Sequence, residues 1–371
     1  MNPETTTEPT PIIGVDEITP AWMQAVLRRS GLPDAVVTAV SHAPIGAGNV
    51  SDCVRVEITY DGNRGEAPES VVVKLRPSDP GAHQHGLNSG AYHREIGAFR
   101  AIGERLACRI PSAYWVAGDE TNINLVTEDL TRSAVPGNQA AGSNAEEAEA
   151  VIVELARVHS AFAPTTPESA PDWMIRLADV CDYWSGHARA GAEAALGRYT
   201  DALPPEYLDV IRDGADIVRD WHLLPQQRWS FTHGDPRVDN VLFEQVDGKP
   251  SAVLIDWQVT GVRNPMYDVG YFMSGSVDTD LRREIEMPLI RRYIEVYSRQ
   301  AAGYDVADAV CDYQIQLLSG LYITLAAIDV LPDNDVVNAL ILALLRRNCA
   351  AVIDWKSVAA VRNVLSALSV R

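Results

Sequence analysis

The sequence predicts an α+β protein of two lobes: a small antiparallel-sheet lobe with one main helix, followed by a larger, mostly helical lobe. Three observations carry this expectation. The chain has 371 residues, which is too long for one small core and suits two. Apolar residues alternate at strand period between Val50 and Leu75, and two more short strand patterns follow near Ala113–Val116 and Ile123–Thr127. Beyond about residue 140 the apolar residues recur at helical spacing, broken by a single hairpin pattern.

Taken in order, residues 1–17 are polar and rich in Pro and Thr, and read as a loose tail. A helix then begins with Thr19 as N-cap and Pro20 at its first position, and stops at Gly31. Val54, Val56 and Ile58 alternate with Arg55, Glu57 and Thr59. Asp61-Gly62-Asn63 supplies a turn, and Val71-Val72-Val73-Lys74-Leu75 is a second β-branched run. From about Ser89 to Ala107, Tyr92, Glu95, Ile96, Phe99 and Ile102 fall at helical spacing. A β-β-α-β-β lobe therefore ends near residue 130, giving a first lobe over 18–130 and a helical lobe over 131–371. In the latter, Ser143 and Glu146 read as a capping box. Behind them Ala148, Val151, Ile152, Leu155, Val158 and Phe162 form one apolar face, on which His159 reads as a packed core histidine. Val241-Leu242-Phe243, Asp247-Gly248 and Val253-Leu254-Ile255 spell a hairpin. Helical segments run from about Leu281 to the end.

Composition narrows the function classes. A formal net charge of −19 repels nucleic acid and anionic membrane, so neither is expected as a partner. Five cysteines with no CxxC spacing argue against a disulfide framework or a zinc knuckle and for a reducing compartment. The first twenty residues lack the basic and apolar regions of a signal peptide. The apolar stretch Leu317–Leu331 is shorter than the roughly 20 residues a spanning helix needs. A cytoplasmic protein is expected. Oligomeric state is not legible.

The chemistry concentrates in Phe231-Thr232-His233-Gly234-Asp235-Pro236-Arg237-Val238-Asp239-Asn240, followed by Leu254-Ile255-Asp256-Trp257. Phosphoryl transfer asks a protein for an aligner of the attacking hydroxyl and a cation against the phosphate charge. A carboxylate and an amide five residues apart on a tight loop can divide those tasks. Asp235 would face the hydroxyl, and Asn240 would turn to a magnesium ion. Asp256, at the end of an apolar strand, would add the hard anionic oxygen that magnesium prefers.

The string HGDxxxxN followed by IDW resembles the aminoglycoside-phosphotransferase-like family, which is related to choline kinases and more distantly to protein kinases. The longer IDWQVTGVRNPMYDVGYF looks closest to its ecdysteroid-kinase-like (CHK-kinase-like) branch. The resemblance spans roughly residues 40–275. It implies a protein-kinase-like two-lobe fold with the nucleotide bound by the first lobe, ATP and magnesium as cofactors, and a hydroxylated small molecule as acceptor. It implies that Lys74 pairs the α- and β-phosphates and that Glu95 holds Lys74 extended. Gly46 and Gly48, in the Ile45–Ser51 turn, would let backbone N–H groups approach phosphate. Glu128 and Leu130 would meet the adenine edge through main-chain atoms. Asp268 would brace the catalytic loop, and His233 would buttress it rather than transfer protons.

The chain departs from protein kinases in having no HRD or DFG string and no APE downstream of Asp256, so a small acceptor is expected rather than a peptide. Pro236 stands where the family often has Leu or Tyr. Trp173, Tyr183, Trp184 and Tyr322 are candidate acceptor-wall residues, with core packing the alternative for each. The expected reaction is phosphorylation of an alcohol on an aminoglycoside-like antibiotic or another hydroxylated metabolite. The rival is a nucleotide-binding pseudokinase that acts as a scaffold.

Overall fold

The computed structural model describes residues 8–46 and 50–369. They form two compact units. One comprises residues up to Leu106, Ile110–Ser133 and Asp256–Val259. The other comprises Ala107–Arg109, Ala134–Ile255 and Thr260 onward.

The first unit opens with α1 (Pro20–Arg29), where Thr19 Oγ1 accepts the Trp22 N–H at 3.2 Å and Pro20 takes the first helical position. Strands β1 (Val36–Pro44), β2 (Asp52–Asp61), β3 (Ser70–Leu75), β4 (Ala113–Gly118) and β5 (Ile123–Glu128) form an antiparallel sheet in the order β1-β2-β3-β5-β4. Two helices, α2 (Pro80–Ser89) and α3 (Ala91–Arg105), connect β3 to β4. The period-2 geometry of β3 sends Val71, Val73 and Leu75 into a core with Met23, Val26 and Leu27 of α1, which leaves Lys74 on the opposite face. That choice of face places Lys74 within reach of α3.

Three details differ from the sequence expectation. Strand β1 was not foreseen, because it lies on the sheet edge with Val37 its only fully buried residue, and so carries no clear alternation. Helix α2 was not foreseen either. Its Pro80, Gly81 and Gly86 are poor helix formers, but Asp79 caps it by accepting the Ala82 N–H at 2.8 Å, and left-handed Gly90 (φ 66°) ends it. Of the loose tail expected over 1–17, residues 1–7 lie outside the described residues, whereas Ile12 is buried and its N–H donates to Asn124 Oδ1 at 2.9 Å.

The second unit runs β6 (Ala134–Pro136), α4 (Ala145–Ala161), β7 (Ile175–Arg176), α5 (Leu177–Arg198), α6 (Pro205–His222), β8 (Ser230–Thr232), β9 (Val241–Val246), β10 (Lys249–Leu254), β11 (Gly261–Arg263), α7 (Met266–Ser276), α8 (Thr279–Tyr297), α9 (Val306–Gln316), α10 (Leu318–Val330), α11 (Asp335–Asp354) and α12 (Ser357–Ser369). Two three-stranded sheets, β10-β9-β6 and β7-β11-β8, frame the loop between β8 and β9. The β9–β10 hairpin turns on Asp247 and Gly248, both with positive φ (51° and 76°), as a two-residue primed turn requires. The capping box sits one residue later than expected. Asn144 and Glu147 exchange the two bonds, each 3.0 Å, because the Ser143 N–H is taken by the Ser276 carbonyl at 2.7 Å.

The second core joins α5, α6, α7, α10, α11 and α12. Among its residues are Ala192, Trp221, Tyr271, Leu321 and Leu345. Tyr322 belongs to it as well, so this wall candidate is a core residue, its hydroxyl spent on the Gly214 carbonyl at 3.1 Å. By length and composition α11 is the one helix among the described residues apolar enough to cross a membrane. Its Ile341, Leu345, Cys349 and Val352 are packed into this core.

Candidate active site

In the first unit, Lys74 Nζ lies 2.7 Å from Glu95 Oε1 and 3.3 Å from Asp256 Oδ1. Burial opposes the charge on Lys74, but the fields of Asp256 and Glu95 outweigh it, and the ammonium is held well above its ordinary pKa. Burial pushes the Glu95 carboxyl up, against the pull of Lys74. The Glu95 carboxylate also accepts a bond from the Gln258 side chain, and Arg94 Nε donates to the Gln258 carbonyl at 2.6 Å. The segment Asp256-Trp257-Gln258 is thereby stitched to α3. Asp256 itself adopts φ 65°, a left-handed conformation that Asp tolerates better than most residues. Its second carboxylate oxygen has no donor among the described residues.

The exit of β5 is held by a residue that sequence reasoning passed over. Asp129 Oδ2 accepts from Arg55 Nε and Ser70 Oγ, both at 2.5 Å, and Oδ1 accepts from Thr131. Although burial disfavours the charge, these donors bring the Asp129 carboxyl down to about 2. On either side, the Glu128 N–H donates to the Ser112 carbonyl at 2.9 Å, and the Leu130 side chain is buried. Gly46 is exposed with φ 69° and open space around its Cα, so its backbone is accessible. Gly48 lies outside the described residues.

In the second unit the loop from His233 to Asn240 is built around one buried carboxylate. Asp268 of α7 accepts the His233 N–H at 2.6 Å, the Gly234 N–H at 2.9 Å and His159 Nε2 at 3.0 Å. Its complete burial would raise its pKa. These donors, His159 first, hold it below the usual carboxylate range instead. His159 is fully buried, as expected of a core histidine, and its Nδ1 meets the Tyr293 hydroxyl at 2.9 Å. Gly234 sits at φ 89°, where a side chain would be strained, and this conformation turns its N–H onto Asp268. The imidazole of His233 places Nε2 against the Ile255 carbonyl at 2.9 Å while Nδ1 accepts the Asp235 N–H at 3.3 Å. That pattern defines the Nε2–H tautomer and makes His233 a strut of the loop.

Asp235 is about 28% exposed and both its oxygens are engaged. Asn240 Nδ2 donates to Asp235 Oδ2 at 3.0 Å and to the Asp235 carbonyl at 2.9 Å. Both partners are acceptors, so the amide must present nitrogen to Asp235 and oxygen away from it. That oxygen meets no donor among the described residues. Tyr271 donates its hydroxyl to Asp235 Oδ1 at 2.7 Å. Arg237 lies 3.5 Å from Asp235 Oδ2 and 3.7 Å from Asp239. Asp239 faces solvent but accepts the Gln139 N–H at 2.7 Å, and buried Gln139 accepts the Val238 N–H at 3.1 Å. Neither Gln139 nor Tyr271 was recognised from sequence as a contact of the loop. A glutamine on an irregular segment carries no pattern. Tyr271 did carry one: it stands three residues after Asp268, on the same helical face.

The residues present suit a magnesium nucleotide. Asp256 and Asn240 each keep one hard oxygen without a donor, and among the described residues no cluster of three or more His, Cys, Asp or Glu forms a dedicated metal cage. Magnesium is commonly held by one or two such groups, with phosphate oxygens and water completing the shell.

A small antiparallel lobe with a lysine–glutamate pair and a helical lobe with an aspartate loop together define a protein-kinase-like phosphotransferase of the small-molecule class. The sequence matches the phosphotransferase enzyme family (APH) over residues 45–310, and the chain belongs to that family. Among solved structures it is similar to choline kinase from Cryptosporidium parvum Iowa II, with 12% identity, TM-score 0.53, and coverage of 85% of this chain and 90% of that one. It is similar to Plasmodium vivax ethanolamine kinase at 14% identity and TM-score 0.53, covering 88% and 87%. The wild-type aminoglycoside 2'-phosphotransferase-IIIa in its GDP complex is 13% identical with TM-score 0.52, covering 89% and 98%. At such identities the likeness establishes the fold. No curated protein matches the chain.

Proposed function

We propose that this protein transfers the terminal phosphoryl group of ATP to a hydroxyl of a small molecule. The observation that carries the reading is the half-buried Lys74 held between Glu95 and Asp256, at 2.7 and 3.3 Å. A lysine so fixed is a preorganised point charge for phosphate oxygens. Gly46 and Gly48 would lend backbone N–H groups to the same phosphates, and the main chain at Glu128 and Leu130 would receive the adenine edge. Asp256 and Asn240 would hold magnesium, which when bound neutralises phosphate charge. Asp235 would align the acceptor hydroxyl and accept its proton as the acceptor oxygen bonds the terminal phosphorus and the bond from that phosphorus to the bridging β-phosphate oxygen breaks, releasing ADP.

The acceptor class divides three ways: an amino alcohol, as the names of the choline and ethanolamine kinases suggest; an aminoglycoside; or a sterol-like alcohol of the kind the ecdysteroid-kinase-like resemblance implies. The acidic composition favours a cationic acceptor without selecting one. The test is an acceptor panel with magnesium ATP and, separately, magnesium GTP. ADP or GDP release and product mass would be followed for wild type and Asp235→Ala. Acceptor-dependent release by wild type alone supports transfer. Tight ATP binding with no acceptor turned over by either protein would establish the pseudokinase scaffold instead.

A further inference from the structure

We infer that Tyr271 is a positioning residue for the aspartate, an inference that rests on the proposed role of Asp235. Helix α7 contacts three consecutive residues of the loop. Asp268 takes the backbone N–H groups of His233 and Gly234 at 2.6 and 2.9 Å, and Tyr271, one turn later, donates to Asp235 Oδ1 at 2.7 Å. The i,i+3 spacing sets both side chains on one helical face, so a single rigid element fixes the loop backbone and the loop's functional carboxylate.

The bond has a specific task. A carboxylate held at one oxygen still swings about its remaining torsion, and transfer to an alcohol depends on alignment more than on basicity. Asn240 grips Oδ2 from the short 3-10 turn Val238–Asn240, within the loop itself. Tyr271 grips Oδ1 from outside the loop. With Asn240 also assigned to magnesium, the phenol is the anchor of Asp235 that carries no second duty. Its hydroxyl is well suited: burial and the adjacent carboxylate hold the phenol well above its ordinary pKa, so it stays a donor. The helix is itself seated without play, since a Cβ on Gly270 would come within 2.7 Å of the Gln316 carbonyl.

Hydrolysis of magnesium ATP by the full chain without acceptor tests this, because water then stands in for the alcohol at Asp235. Three variants are compared with wild type: Tyr271→Phe, Asp235→Asn, and Tyr322→Phe, a buried tyrosine whose hydroxyl serves Gly214. The expected result for Tyr271→Phe is a kcat about tenfold lower with the KM for ATP unchanged within about twofold. Asp235→Asn should fall further, and Tyr322→Phe should match wild type. A crystal structure of Tyr271→Phe should show the Asp235 carboxylate rotated away from its wild-type orientation. Full activity in Tyr271→Phe beside a dead Asp235→Asn overturns the inference and spares the parent reading. So does a loss that tracks only the folded fraction measured by thermal melting. Undiminished hydrolysis in Asp235→Asn overturns both, and an Asp235 carboxylate that keeps its wild-type orientation in the Tyr271→Phe crystal structure overturns the inference alone, even where hydrolysis without acceptor is too slow to follow.

Discussion

The charged cluster of the first unit and the aspartate loop of the second are fixed by different physics. In the first unit three charged side chains hold one another: Lys74, Glu95 and Asp256 form a triad in which every contact is an ion pair. In the second unit Asp235 is oriented mainly by an amide and a phenol, and the loop backbone hangs on Asp268 through N–H groups. In the first unit charge holds a lysine that would receive a polyanionic nucleotide, and there Lys74 would exchange one set of anionic partners for another. In the second unit directional hydrogen bonds hold a carboxylate that would align a hydroxyl, where angle matters more than field strength.

The sharpest way to break this comparison is to remove the aligned group. Asp235→Ala should lower kcat by about 10³-fold and leave ATP affinity within about twofold, as acceptor-dependent ADP release and calorimetric titration will check. The next largest effect falls on the scaffold. Asp268→Ala strands the N–H groups of His233 and Gly234 and the ring of His159, and should cost about 3–4 kcal/mol of unfolding free energy in urea. Third, Glu95→Gln keeps shape and removes charge. It should raise the KM for ATP by about tenfold with a small loss in kcat, whereas Asp235→Ala does the reverse. If both variants moved the same kinetic constant, the contrast between the halves would fail.

The smallest effect sharpens the contrast within the first unit, at the β5 exit. The folded-state pKa of Asp129, about 2, lies below the ordinary carboxylate value. Its contribution is therefore fully present above about pH 4 and is lost as pH falls from about 4 towards 2. Asp129→Asn should cost about 1–2 kcal/mol at neutral pH. Its stability curve should also be flatter than that of wild type across that acid window, as urea titrations at stepped pH will show.

Much of the fold was legible because its decisive segments follow strict periods. The β2–β3 alternation, the apolar face of α3 and the β9–β10 hairpin all announce themselves. Edge strand β1 and helix α2 did not, since burial on one side and end-capping, respectively, stabilise them rather than pattern or propensity. The residues at the proposed reacting centre were readable from motif spacing. Those that hold them were only half readable. Asp268 came through family resemblance. Asp129 and Gln139 did not, because a hydrogen bond made across 59 or 100 residues leaves no local trace; Tyr271 was marked only by its spacing from Asp268, which does not reveal its bond to Asp235.

Asn240 shows why its place in the loop tolerates so little chemistry. An amide has two unlike ends, and here the nitrogen end feeds an anion while the oxygen end is turned away, where it would suit a cation. The substitution Asn240→Asp would keep the shape and offer a metal stronger oxygens. It would also set two carboxylates about 3 Å apart, and one of them would have to keep a proton or turn away. The neutral amide thus holds the Asp235 carboxylate without bringing a second negative charge against it, and keeps its own oxygen turned the other way.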